Sequence, residues 1–444
     1  LETYKAMADK LIAAGHAYID PYSAEEVEAF RKQAQAEKRP FLFREHRPDD
    51  MHSPSTSSGQ FSVPENWYGS RPLRFKVPEV KRYTWHDAVR GGLTAGEEAL
   101  DDFILIKADG YPTYNFAHIV DDYHMQVTHI MRADEFISST PKFLSLYDAL
   151  GITPPVFVTL PPILRADKTK KLGKRDGAKD VLEYREEGYM PDAMMNFLAF
   201  IGWNPGTEQE VFTREELIQA FDIANIQKAG AVLNEEKLDW YNKEYLKKRW
   251  EKGEMRSEVE QEIVARIPPG IRDLPGFSEV KLANVLPLIF DRIQVYADVE
   301  RVCSGYVEKK DDGRGGYTEV HVPSEIDFFF TTPKIPGLTA VDSSGTETHG
   351  GAGISLVPKK GTPEETKQVL ARCLELAAAA TDADYASVES VKNIFWAYAE
   401  EVGRGIVLWP LRVALTGREK SPDPFTVAWV LGKEETVRRI KSAL

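Results

Sequence analysis

Residues 165–177, RADKTKKLGKRDG, put Arg165, Lys168, Lys170, Lys171, Lys174 and Arg175 into eleven consecutive positions of a 444-residue chain whose formal net charge is −13. Cations that dense ask for an anionic partner; a basic loop without catalytic work is the alternative. A second concentration, KLDWYNKEYLKKRWEK at 237–252, interleaves Lys237, Lys243, Lys247, Lys248, Arg249 and Lys252 with Trp240, Tyr241, Tyr245 and Trp250. Such a pattern can grip a sugar-phosphate backbone and stack on bases. Taken alone it is better read as a solvated helix face whose apolar side joins the core.

The elements that would position these groups follow from pattern. THIMR (128–132) predicts a short strand, and SSTPKFLSLYDALG predicts a helix with Thr140 as cap, Pro141 in its first turn and Gly151 at its end. PVFVTL (155–160) predicts the next strand, and the basic segment follows it. This order gives half of a parallel α/β sheet, with the basic loop leaving the sheet edge where ligands of such folds bind. Upstream, residues 1–13 carry apolar residues at helical spacing with Gly15 as a stop, RFKVPEV and DDFILIKADGYPTY read as extended, and Ala108-Asp109-Gly110 marks a hairpin turn. The Ser/Pro-rich stretch 51–70 reads as a flexible insertion. Downstream the pattern becomes helical: MPDAMMNFLAFIGW, then capping boxes at Thr213/Glu216 and Thr362/Glu365, then VESVKNIFWAYAEEVG. GYVEKKDDGRGGYTEVHVPSE and DSSGTETHGGAG read as polar, Gly-rich loops.

Composition bounds the class. With 42% apolar and 28% charged residues, the chain is long enough for two to four packed domains. The longest apolar stretches, such as 193–203, fall short of the ~18 to 20 residues a membrane helix needs, so no membrane partner is expected. Two cysteines, Cys303 and Cys373, exclude a multi-bridge disulfide framework and a four-cysteine zinc cluster. A reducing cytoplasmic setting fits that count. The acidic balance argues against a nucleic-acid partner only on average, because charge is distributed by face.

YPTYNFAHIVDD (111–122), THIMRADEFISSTP (128–141), KKLGKRDGA (170–178), EYREEGYMPDAMMNFLAFIGWNPG (183–206) and LRVALTGREKSPDPF (411–425) occur in the order found in bacterial-type glutamyl-tRNA synthetases, which this chain resembles over nearly its whole length. The resemblance implies an α/β plus all-α architecture: a partial Rossmann-type nucleotide-binding catalytic domain with an inserted acceptor-end domain, then helical stem-contact and anticodon-binding domains. The corresponding boundaries are 1–115 for the acceptor-end insertion and 116–165 for the second half of the catalytic fold. The nucleotide loop and stem-contact domain take 166–252, and the helical anticodon-binding domain 253–444. The activity implied is ATP-dependent formation of glutamyl-adenylate and glutamyl transfer to the 3'-terminal adenosine of tRNA(Glu), by a monomer.

By the same resemblance KLGKR is the nucleotide loop, with Lys174 and then Lys171 offsetting charge that builds on departing pyrophosphate, and Gly173 and Arg175 beside them. Gly173 stands where the family has Ser, which removes a hydroxyl but permits close backbone approach. Glu135, Phe136, Ile163 and Leu164 would contact adenosine. Tyr114 and Arg132 would line the amino-acid pocket with His118 at its rim or packed behind it. An arginine fork matches a carboxylate and not an amide, so Arg132 favours glutamate; a structural ion pair with Asp122, Asp134 or Glu135 is its alternative. Arg292 and Arg412 would read anticodon bases, with Ser421 and Pro422 in the adjoining loop. Mg²⁺ is expected to arrive with ATP, and no zinc is expected.

The family opens with a HIGH-type signature, and no His-x-Gly-His occurs here. The sequence begins at Leu1, so the expectation is an N-terminally incomplete chain, impaired by itself in adenylate formation. A catalytically incomplete tRNA-binding protein derived from this family is the second hypothesis. A glutamyl-queuosine-type paralogue is a third, disfavoured by the long helical C-terminal region.

Overall fold

The computed structural model describes residues 1–47, 67–96, 100–165, 167–173, 179–311, 317–335 and 354–444. Residues 51–66 of the Ser/Pro-rich stretch and the loop DSSGTETHGGAG lie outside them. The chain forms two compact units, one from residues 1–178 and 196–234, the other from 179–195 and 235–444.

In the first unit, helix α1 (Glu2–Ala13) ends just before Gly15, then come β1 (Ala17–Ile19), α2 (Ala24–Ala36), β2 (Leu73–Phe75), β3 (Tyr83–Asp87), β4 (Gly91–Ala95) and β5 (Ile104–Ile106). Strands β1-β2-β5 form an antiparallel sheet. The predicted hairpin after β5 shrinks to a single bridge, Ile106 with Pro112, around a turn in which Gly110 has φ of 83°. Next are α3 (Tyr114–His124), β6 (His129–Ala133), α4 (Thr140–Leu150), β7 (Val156–Leu160) and β8 (Ile163–Leu164). The second sheet has the order β4-β3-β7-β6, with β6 and β3 each parallel to β7 and β4 antiparallel at the edge. Strands from 83–95, upstream of the predicted strand–helix–strand core, therefore complete this sheet. Asp87 locks β3 to β7: it is fully buried, and its carboxylate accepts from the Thr159 hydroxyl at 2.6 Å and from the Thr159, Val89 and Arg90 amides.

Helix α4 is bounded as its sequence dictates, with Pro141 in the first turn and Gly151 at φ 65°, the left-handed conformation that glycine adopts without Cβ strain. The cap residue is Ser139 rather than Thr140, whose hydroxyl donates back to the Phe136 carbonyl. The α1, α3 and α4 faces meet in one core containing Leu11, Phe116, Ile119, Phe143, Leu146 and Tyr147.

Helix α5 (Val181–Glu187) opens with the capping box Asp180/Glu183, and α6 (Pro191–Ala199) follows. Gly188, at φ 86°, lies so close to Tyr296 that an added Cβ would come within 2.6 Å of the Tyr296 Cβ. Helix α7 (Arg214–Ala220) has the predicted Thr213/Glu216 box, and β9 (Ala231–Val232) runs parallel to β8.

The second unit continues with α8 (Glu235–Glu251), α9 (Gly253–Ala265), α10 (Pro269–Arg272), α11 (Glu279–Arg292) and α12 (Asp298–Ser304). The segment predicted as a Gly-rich loop is instead an antiparallel hairpin of β10 (Tyr306–Asp311) and β11 (Tyr317–Val322). The strands pair in six-residue register, from Tyr306 with Val322 to Asp311 with Tyr317, and the glycines at 313, 315 and 316 lie outside the described residues. Helices α13 (Pro363–Ala379), α14 (Val388–Val402), α15 (Arg404–Thr416) and α16 (Pro424–Ser442), the last broken at Gly432, complete the unit. Cys303 and Cys373 are free thiols in apolar surroundings, each pushed up to about 12 by burial. Among the described residues no helix is long and apolar enough to cross a membrane.

The Thr362/Glu365 capping box at α13 satisfies backbone donors at both ends of the turn. Thr362→Ala should therefore destabilise the protein by about 1 kcal/mol, read as a lowered urea midpoint at unchanged slope.

Candidate functional site

Arg132 sits near the C-terminal end of β6, on a strand held in register by β7, with Arg132 opposite Thr159. Its guanidinium carbon lies 5.1 Å from the Phe136 ring centre, 5.6 Å from Tyr114 and 5.7 Å from Phe143. Three rings from α3, the turn after β6, and α4 thus frame one cation whose side chain is only 19% exposed. Tyr114, the first residue of α3, is 56% exposed and forms an open wall.

Its carbonyl accepts from His118 Nδ1 at 2.9 Å, and the His118 ring stacks on Tyr114 and meets Phe143 edge-on. A carbonyl only accepts, so Nδ1 carries the proton and Nε2 has the lone pair. Burial, helped by the nearby Arg132 charge, lowers the His118 pKa to about 4. The imidazole is therefore neutral at pH 7, and Arg132 is the cation here. The ion-pair alternative for Arg132 resolves to Asp122, at 3.9 Å, beyond hydrogen-bond distance.

Beside this pocket the turn after β8 folds back so that Leu172 N–H donates to the Ile163 carbonyl and Lys171 bridges Leu164. Gly230 packs directly on Leu164, leaving an added Cβ 2.7 Å from its Cδ1. Ile163 and Leu164 thus anchor the base of the basic loop. Lys171 Nζ reaches Glu135, at 2.9 and 3.0 Å from its two oxygens, and this hydrogen bond holds the Glu135 carboxyl below its usual range. Tyr114, His118, Arg132, Glu135, Ile163, Leu164 and Lys171 all belong to the first unit, as does Gly173. Lys174 and Arg175 lie outside the described residues.

Phe143 is the pocket residue that motif reading missed; its place one turn into α4, three residues after Thr140, was the available signal.

In the second unit, Arg292 at the end of α11 donates to Glu325 at 2.5 Å and to the Leu288 carbonyl at 2.8 Å. Arg412 lies within α15, its Nε buried and without a hydrogen-bond partner among the described residues. The Ser421 hydroxyl donates to the Pro422 carbonyl at 2.9 Å. The basic and aromatic stretch 237–252 divides along α8. Leu238, Tyr241, Lys243, Tyr245 and Leu246 are buried, and Lys243 bonds the Phe290 carbonyl, its pKa lowered to about 8 by burial. Trp240 remains at the surface, with the ammonium of half-buried Lys237 3.9 Å from its ring centre.

The family model described as "tRNA synthetases class I (E and Q), catalytic domain" matches residues 1–240, more than half of the chain. The chain belongs to this family. The model described as "Anticodon binding domain" matches residues 322–444. A glutamate–tRNA ligase of Clostridium botulinum (strain Okra / Type B1) is 33% identical over 449 residues, covering 99% of this chain and 79% of that protein. One of Anaeromyxobacter sp. (strain K) is 32% identical, covering 100% and 80%. The crystal structure of a glutamate tRNA ligase from Elizabethkingia meningosepticum in complex with its amino acid superposes with a TM-score of 0.72 at 27% identity, covering 100% of this chain and 82% of that one. In this class I synthetase chain, the α/β first unit and the helical C-terminal region accord with the two matched models.

Proposed function

We propose that the protein is a glutamate–tRNA ligase, which activates L-glutamate with ATP and transfers the glutamyl group to the 3'-terminal adenosine of tRNA(Glu). The observation that carries this is Arg132, a nearly enclosed cation framed by three rings and beside a neutral histidine. A ligand carboxylate can accept two parallel hydrogen bonds from such a fork, whereas the amide of glutamine would set its NH₂ against N–H donors. Tyr114 and His118 complete that pocket in this reading.

In the first half-reaction an α-carboxylate oxygen of glutamate attacks the α-phosphorus of ATP, and the bond to the β-phosphate oxygen breaks, releasing pyrophosphate. Lys174 and Lys171 offset the charge growing on that leaving group, which lowers the barrier because the charge is greater there than in the ground state. Lys171 must exchange Glu135 for phosphate; both partners are about half exposed, so water readily opens the pair. Gly173, Arg175, Ile163 and Leu164 shape the nucleotide side. In the second half-reaction a ribose hydroxyl of the tRNA end attacks the glutamyl carbonyl, and AMP leaves with the bonding pair.

Among the described residues no group of three His, Cys, Asp or Glu could hold a metal. Mg²⁺ in this reading comes with the triphosphate, and no step above depends on a protein-held ion.

Residues 1–115 would meet the acceptor end and 253–444 the anticodon, with Arg292, Arg412, Ser421 and Pro422 on the reading surface. The test is charging of tRNA(Glu) with labelled glutamate: the reading requires glutamyl-tRNA to form with glutamate and not with glutamine, and the reverse preference would refute it. Lys174→Ala should slow pyrophosphate exchange, assayed with tRNA present, by about 10² to 10³ with glutamate affinity little changed. Exchange at the parent rate would remove Lys174 from that role.

A further inference from the structure

Helix α3 ends with two adjacent acids that have diverged in use. Asp121 accepts from the Tyr4 hydroxyl at 2.7 Å. Asp122 faces Arg132 instead, at 3.9 Å, and its Oδ2 is buried with no hydrogen-bond partner among the described residues. Tyr147 on α4 is 1% exposed, and its hydroxyl is likewise buried without a partner among them. Both residues line one cavity of ≈ 160 Å³, with Gln126, Thr153 and Pro155 on its other walls.

Neither group is explained by folding alone. A half-buried carboxylate is costly unless something compensates it, and burial indeed raises the Asp122 pKa while Arg132 opposes that rise. Arg132 needs the converse. Its neighbours Tyr114, Phe136 and Phe143 offer ring faces, which attract a cation but set no direction for its N–H fork. A carboxylate at 3.9 Å from a terminal nitrogen supplies that direction.

We propose that Asp122 is a positioning residue for Arg132, fixed in turn by Tyr147 through water held in the cavity they share, so that the guanidinium fork is aimed at the ligand carboxylate before glutamate arrives. The cavity has room for a water beside both residues. The contact with Arg132 is too long to be a hydrogen bond, so it does not consume the donors the ligand would use. This inference rests on the glutamate reading of the pocket.

Calorimetric titration of the protein with glutamate, alongside charging kinetics, tests it. Asp122→Asn should weaken glutamate binding and raise its KM about tenfold, below the ~10² cost of displacing a reacting group, with kcat and the KM for ATP within about twofold. Tyr147→Phe keeps the ring and should weaken glutamate binding about threefold in the same pattern, as loss of one neutral hydrogen bond does. Asp122→Glu should recover part of the loss. If Asp122→Asn does not fold, Tyr147→Phe decides. Parent glutamate affinity in the folded variants, even with lowered Tm, would make the pair structural and overturn the proposal while leaving the ligase reading intact. A parent protein that binds no glutamate would overturn both.

Discussion

Replacing Arg132 by Gln should abolish efficient use of glutamate, lowering kcat/KM by roughly 10² to 10⁴. The side chain is 19% exposed and walled by Tyr114, Phe136 and Phe143, so no water shell can take over the substrate carboxylate once the cation is gone. Removing one partner of such an enclosed pair costs about 3 to 5 kcal/mol. Asp122 would also lose its nearby cation, adding like-charge repulsion against the incoming carboxylate. The neutral His118 cannot substitute, since its pKa of about 4 leaves it uncharged at neutral pH. Steady-state charging with varied glutamate reads the result, and an unchanged kcat/KM would locate the specificity elsewhere.

The second large effect concerns the helical unit. Arg439 on α16 is 2% exposed; its Nε donates to Glu435 at 2.6 Å, and its terminal nitrogens donate to the Leu415 carbonyl at 2.6 Å and the Thr331 carbonyl at 2.7 Å. Arg439→Leu would leave two carbonyls and part of a carboxylate unpaired in a site closed to water. A loss of about 3 to 5 kcal/mol is expected, seen as a lower urea midpoint. Burial pushes the Glu435 carboxyl up, but hydrogen bonds from Arg438 and Arg439 outweigh it and hold the pKa at about 2. With the folded value depressed, this contribution is complete above the unfolded value of 4.5 and is lost as pH falls from there through about 2. Arg439→Leu should blunt that acid-side fall in stability; an identical pH slope would assign it to other carboxylates.

Local signals were legible where the chemistry is local. The capping boxes at Thr213 and Thr362, Pro141 at the start of α4 and Gly151 at its end each depend on residues within four positions, and each stands where sequence reading puts it. The strands β3 and β4 escaped because Gly91 and Gly92 break any alternating apolar pattern, and the joining of β3 to β7 is set by Asp87 reaching Thr159, 72 residues away. In α8 the charge pattern drew attention to Lys243, Tyr241 and Tyr245, yet Leu238, Tyr241, Tyr245 and Leu246 already carried the spacing of a buried face.

The pocket was legible at Tyr114, Arg132 and the loop base because motif order carried them. Asp122 was visible only as one of three acids near Arg132, and Tyr147 not at all. Choosing among such neighbours depends on how α3 and α4 pack, which no local spacing encodes. The Arg439 network was hidden for the same reason, since two of its acceptors are backbone carbonyls 24 and 108 residues away.

The most direct measurement is a crystal structure of the protein with glutamate bound. The account predicts the glutamate side-chain carboxylate within hydrogen-bond distance of the Arg132 guanidinium, Tyr114 beside it, and the α-carboxylate directed toward the loop that holds Lys171. A glutamate whose side-chain carboxylate is met by another cation, with Arg132 still turned to Asp122 alone, would contradict it.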